Sequence, residues 1–192
     1  MAKLKSSQLQ LGDIILTAGN GIGSKVIRLG TASDVSHAML FAGSGSVIHA
    51  VSEGVREQSL ESVLTTVTLA KVYRLTGAKE ESLKAAVAYA RAQIGKKYDA
   101  FEAIGAADPE RLAITPLLLM SHPIVRALPI AVFIFKMHNV FAGDREKFFC
   151  SELVVAAYQD AGLTVFDGNP SEFSPDNLKH TKLSYMGELE LG

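Results

Sequence analysis

Two strand-like stretches, Ser36 to Ala42 and Val47 to Val51, stand on either side of Gly43-Ser44-Gly45-Ser46, and they commit this part of the chain to an antiparallel hairpin. Each strand carries one histidine, His37 and His49. Whether the two can act together depends on the turn. Opposed residues of an antiparallel pair share a face, so a four-residue loop that pairs Ala42 with Val47 sets His49 opposite Leu40 and sends the imidazoles to opposite faces. A three-residue loop with a left-handed glycine, or a bulge at Gly43 or Gly45, changes the parity, sets His49 opposite Met39 and brings it onto the face of His37. A functional pair therefore requires a turn of the odd kind. Glu53 has the parity of His49 and lies four residues further on, so it competes for any role given to His49. Taken singly, each histidine reads as a half-buried residue satisfied by a neighbour.

A second constraint comes late in the chain. Between Phe148 and Gly162, Leu153, Val154, Ala157 and Ala161 recur at intervals of three and four, and Gly162 stands where a C-cap glycine would end a helix. Cys150, the one cysteine of the chain, falls in the first turn of that helix. There the unpaired N–H groups and the positive end of the helix dipole favour the thiolate, the form that attacks carbon. A backbone N–H beside it could face the oxyanion formed when it attacks a carbonyl. The competing reading is a core cysteine, since free cysteines are among the most buried residues. A single cysteine excludes internal disulfides and zinc sites built on paired cysteines.

With 192 residues the chain has room for one domain carrying an insertion. Hydrophobic residues make up 48% and the formal net charge is −1, which argues against disorder and against a broad nucleic-acid-binding face. Gly12 to Thr17 reads as a strand. The glycine-rich loop from Gly19 to Lys25 lacks the spacing of a phosphate cradle, and Val26, Ile27 and Leu29 suit a short helix closed by Gly30. Ser59 to Leu64 predicts one or two helical turns, Thr66 to Leu75 a strand, and Lys79 to Ile94 a helix with a stripe of Leu83, Ala86, Val87, Ala90 and Ile94. The tail beyond His180 can supply a last strand. No apolar run follows the basic residues at the N-terminus, so the chain is expected to be made in the cytoplasm, and either to stay there or to leave by a route that needs no cleaved signal. Leu112 to Phe135 is apolar and about long enough to span a bilayer, but Pro116, Pro123 and Pro129 break it. The segment from Ile104 to Phe141 therefore reads as an apolar insertion: a packed cover, the wall of a substrate channel, or, through 112–135, a membrane-touching surface.

A cysteine nucleophile needs a base, and the base needs a third group to orient it. Gly12-Asp13-Ile14-Ile15, Ser36-His37-Ala38-Met39-Leu40-Phe41-Ala42-Gly43, Val47-Ile48-His49-Ala50 and Phe149-Cys150-Ser151-Glu152-Leu153-Val154 together resemble the circularly permuted papain-like branch of the NlpC/P60 superfamily, which contains the YiiX/YaeF-like hydrolases and the lecithin retinol acyltransferase-like enzymes. The histidine strand precedes the cysteine helix here, the reverse of ordinary papain order. The resemblance implies an α+β fold, an antiparallel sheet packed against helices that include the cysteine helix. It implies Cys150 as nucleophile, His37 as general base and His49 as the residue that orients His37. Gly95-Lys96-Lys97-Tyr98-Asp99 resembles a segment of the YiiX-like group, which sets Tyr98 near the site, and Ser174-Pro175 resembles its late turn. Ser151 and Glu53 join Tyr98 as candidates for substrate contact. The implied chemistry is cleavage of an amide or ester through a thioester, with no metal or organic cofactor. A cell-wall peptide is the expected substrate, which would make the chain an exported effector that meets an immunity or regulatory protein. The alternatives are a lipid-directed thiol acyltransferase or lipase that uses the apolar insertion, and a binding module without catalysis. Metal binding by His37, His49 and Cys150 is the least favoured reading.

Overall fold

The apolar run that begins at Ile14 shows no alternation because its strand lies inside a sheet covered on both faces. The computed structural model describes residues 3–20, 24, 28, 33–51, 53–98, 147–148 and 150–191. Strands β1 (Lys3–Leu4), β2 (Ile14–Gly19), β3 (His37–Gly43), β4 (Ser46–Val51), β5 (Gly54–Ser59), β6 (Val67–Arg74) and β9 (Ser184–Leu189) form a seven-stranded sheet in the order β1-β9-β6-β2-β3-β4-β5. Every pairing in it is antiparallel except that of β1 with β9, which is parallel. Two short strands, β7 (Lys97–Tyr98) and β8 (Lys147–Phe148), pair in parallel apart from it. The α-helices with described bounds are α1 (Leu60–Leu64), α2 (Glu80–Ala92) and α3 (Cys150–Asp160). No helix among the described residues is long and apolar enough to cross a membrane.

On one face Leu16, Ala38, Leu40, Ile48 and Ala50 pack with Ala86, Val87 and Ala90 of α2 and Leu153, Val154 and Ala157 of α3. On the other, Ile15, Met39, Phe41, Val47 and Val72 pack under Leu60, Val63 and Leu64 of α1. The cysteine helix is thus held by its own apolar stripe. It is fastened at its far end by Tyr158, whose hydroxyl donates to the Gly12 carbonyl at 2.6 Å. Gly12 has φ +83°, and an added Cβ would lie 2.7 Å from Leu83, so both its backbone conformation and its packing require glycine. Asp13 beside it is 1% exposed, accepts from Arg74 Nε and Nη2 at 2.7 Å each, and also accepts the Gln10 N–H at 2.8 Å. The Gly-Asp start is therefore a structural clamp joining β2, β6 and α3.

The elements follow the sequence reading except at the end of α2, at strand β5 and at the short strands β1, β7 and β8, which it did not predict. The stripe assigned to α2 runs one turn too far: the helix ends at Ala92, and Ile94, beyond the cap residue Gln93, is 46% exposed. Strand β5 was missed because Arg56, Glu57 and Gln58 interrupt its apolar pattern, as befits a strand at the sheet edge. Val26, Ile27, Leu29 and Gly30, and the apolar segment 104–141 with its stretch 112–135, lie outside the described residues.

Candidate active site

The turn between β3 and β4 is of the odd kind. Leu40 pairs with Ile48 and Phe41 with Val47, after which the register shifts and Gly43 pairs with Ser46. Ser44 and Gly45 form the two-residue loop with φ 50° and 72°, and Gly43 at φ 83° takes the left-handed conformation next to the bulge. Extending the Leu40 to Ile48 register sets His49 opposite Met39, so it shares a face with His37. The imidazoles meet edge to face with centroids 5.1 Å apart, and His37 Nε2 lies 2.9 Å from His49 Nδ1. On its far side His49 Nε2 lies 2.7 Å from Gln58 Oε1 of β5. The amide oxygen can only accept, so His49 Nε2 carries the proton and Nδ1 the lone pair. His37 Nε2–H then donates to His49, and His37 Nδ1 keeps its lone pair outside the relay.

Cys150 is the first residue of α3 and is 1% exposed. Its helix packs on the Ala38 and Leu40 face, whereas the histidines have the parity of Met39 and Val47. The backbone N–H of Ala38, at the beginning of β3, bears on the Cys150 sulfur. Among the described residues no hydrogen bond joins Cys150 to either imidazole. The N–H groups of Ala38, Ser151 and Cys150 itself favour the thiolate, but burial outweighs them and pushes the thiol up to about 11. The expectation that the helix start makes a resting thiolate is therefore corrected: stripping water from the sulfur costs more than the helix end returns. Burial, with the neighbouring His49, likewise depresses His37 to about 3, and burial lowers His49 against the pull of Gln58. At rest the thiol and both imidazoles are neutral.

Ser151 is 2% exposed and its hydroxyl donates to the Phe173 carbonyl, which holds the first turn of α3 against the late loop. Glu53 sits in the turn between β4 and β5, where its carboxylate lies 3.9 Å from Arg56 and its side chain is 62% exposed, while His49 is the residue bonded to His37. The backbone of Tyr98 pairs with Phe148, two residues before Cys150. Ser174 opens a tight turn in which its N–H and hydroxyl both donate to Asn177 Oδ1. Gln58 was not foreseen: only the register across β4 and β5 brings it to His49. A cavity of about 270 Å³ lined by Asp13, Arg74, Leu83 and Tyr158 lies at the Gly-Asp clamp and touches none of Cys150, His37 and His49.

A cysteine at a helix start, meeting an earlier strand that carries a paired histidine, places the chain among papain-like cysteine hydrolases of permuted order. Residues 8–103, half of the chain, match the family described as permuted papain-like amidase enzyme, YaeF/YiiX, C92 family, and the chain belongs to that family. The match takes in His37 and His49 and ends before Cys150. "Probable lipoprotein peptidase YaeF" of Escherichia coli (strain K12) is 24% identical over 210 residues, covering 99% of this chain and 74% of that protein. The crystal structure of the metalloprotein YiiX from Escherichia coli O157:H7 superposes with a TM-score of 0.64 at 21% identity, over 94% of this chain and 98% of YiiX, which shows the same fold.

Proposed function

We propose that this protein is a thiol amidase in which Cys150 is the nucleophile, His37 the general base and His49 its orienting partner. The observation that carries the reading is the 2.9 Å bond between His37 and His49 at the start of β3, the strand whose Ala38 N–H bears on Cys150. His37 Nδ1 takes the thiol proton as the sulfur attacks the carbonyl carbon; apo contacts of this kind are often long and tighten when substrate binds. The thiolate and imidazolium created together stabilise each other, and the N–H groups around Cys150 face the developing oxyanion. The carbon–nitrogen bond then breaks, the amine leaves with the proton from His37, and a water deprotonated by His37 hydrolyses the thioester.

The substrate we favour is a peptide amide, with cell-wall peptide the finer choice; an ester or amide of a lipid is the alternative, resting on the apolar segment 104–141. YiiX is called a metalloprotein, but this chain's donors do not fit a metal held by the two histidines. Both nitrogens of His49 are engaged, and no three His, Cys, Asp or Glu side chains converge among the described residues. Intact-mass detection of an acyl adduct tests the proposal, with peptide amides and lipid esters as substrates and Cys150→Ala and His37→Ala as controls. An adduct from a peptide amide that is lost in Cys150→Ala and slowed in His37→Ala is expected. Turnover that survives Cys150→Ala overturns the assignment.

A further inference from the structure

The third member of the relay is itself left to choose between two tautomers by the imidazole pair alone. His37 Nε2 and His49 Nδ1 can share one proton in either direction, and nothing between the rings decides which donates. Only the outer nitrogen of His49 breaks the symmetry. Gln58 Oε1 lies 2.7 Å from His49 Nε2, on the edge strand β5, and the side chain of Gln58 is partly buried in the face it shares with Val47. The charged groups that bear on His49 are Arg56, directly across β4–β5 from it, and Glu53. Both act on the ring as charges, whereas Gln58 makes the directional bond to its outer nitrogen.

We infer that Gln58 is a positioning residue for the amidase reaction: by accepting from His49 Nε2–H it fixes the tautomers of both histidines and leaves the lone pair of His37 on Nδ1. This rests on the reading of His37 as the base. Loss of the acceptor lets the chain of protons reverse. His49 Nδ1–H then donates to His37 Nε2, the remaining proton of His37 sits on Nδ1, and the base can no longer accept from the thiol.

The test begins with the unaltered protein. Nitrogen-15 shifts of the imidazoles at pH 7 should show a protonated Nε2 and an unprotonated Nδ1 in both His37 and His49; the reverse pattern in either ring overturns the inference. Gln58→Met should mix the tautomers and lower kcat at least tenfold with KM little changed. Gln58→Glu, which keeps an acceptor, should restore the pattern and raise the pH at which the imidazoles protonate. Unchanged tautomers and kcat in Gln58→Met refute the role of Gln58, while leaving His37 as base if His37→Ala is still inactive. An active His37→Ala instead refutes the reading on which the inference stands. If Gln58→Met fails to fold, the Gln58→Glu protein and the parent spectrum decide.

Discussion

Replacing Arg74 by Met tests whether the Gly-Asp clamp supports the fold. Asp13 is 1% exposed and receives two bonds of 2.7 Å from the guanidinium, whose side chain is 16% exposed. The substitution leaves a buried carboxylate with one donor, the Gln10 N–H at 2.8 Å. Removing one partner of a buried pair costs roughly 3–5 kcal/mol, and the surviving donor and the partial exposure of Arg74 favour the lower end, about 3 kcal/mol. Part of that is the Arg74 Nη2 bond to the Gln8 carbonyl, 3.0 Å long, which ties down the N-terminal segment. In a chain of this size the loss corresponds to a fall in Tm of roughly 6–12 °C. Urea unfolding followed by far-ultraviolet circular dichroism reads it directly, provided the slope with denaturant is unchanged. Asp13→Asn in the Arg74→Met background should recover much of the loss, because no charge is then left buried, and the double-mutant cycle isolates the pair. A loss under about 1 kcal/mol, or no recovery in the double variant, would refute the argument that desolvation of Asp13 sets the cost.

Iodoacetamide should modify Cys150 on the order of a hundredfold more slowly than a free thiol at pH 7, with the rate climbing toward pH 11, because burial holds the thiol at about 11. Rapid modification near pH 6, lost in His37→Ala, would mean a resting ion pair and contradict the neutral site. His37, depressed to about 3, refuses a proton that the unfolded chain accepts below about 6.5. Its stabilisation is therefore complete above pH 6.5 and drains as the pH falls toward 3, by about 1 kcal/mol per pH unit after allowance for partial exposure. His37→Gln should flatten that slope in urea titrations between pH 6 and 4, and an unchanged slope would sink the assignment. Tyr158→Phe should cost roughly 1–3 kcal/mol, by leaving the Gly12 carbonyl short of a buried donor, and a thermal melt that does not move would show that the hydroxyl is not holding α3.

The local elements and the order of the chemistry are written in the amino-acid sequence. Runs rich in β-forming residues and bounded by turn residues marked β2, β3, β4 and β6, stripes at intervals of three and four marked α2 and α3, and the position of Cys150 at a helix start followed from the stripe behind it. The sequence also determines the condition on which the histidine pair depends, since strand parity is a property of the backbone. Whether that condition is met depends on the folded hairpin, because the shift of register between Phe41 and Gly43 is one of several turns that Gly43-Ser44-Gly45-Ser46 allows. The same holds for Gln58, which meets His49 through a register between strands and not through spacing along one of them. The thiol shows the limit most plainly. A helix start predicts a thiolate, but the ionisation of Cys150 is set by how much water the packed protein removes from sulfur, and desolvation is a property of the whole fold.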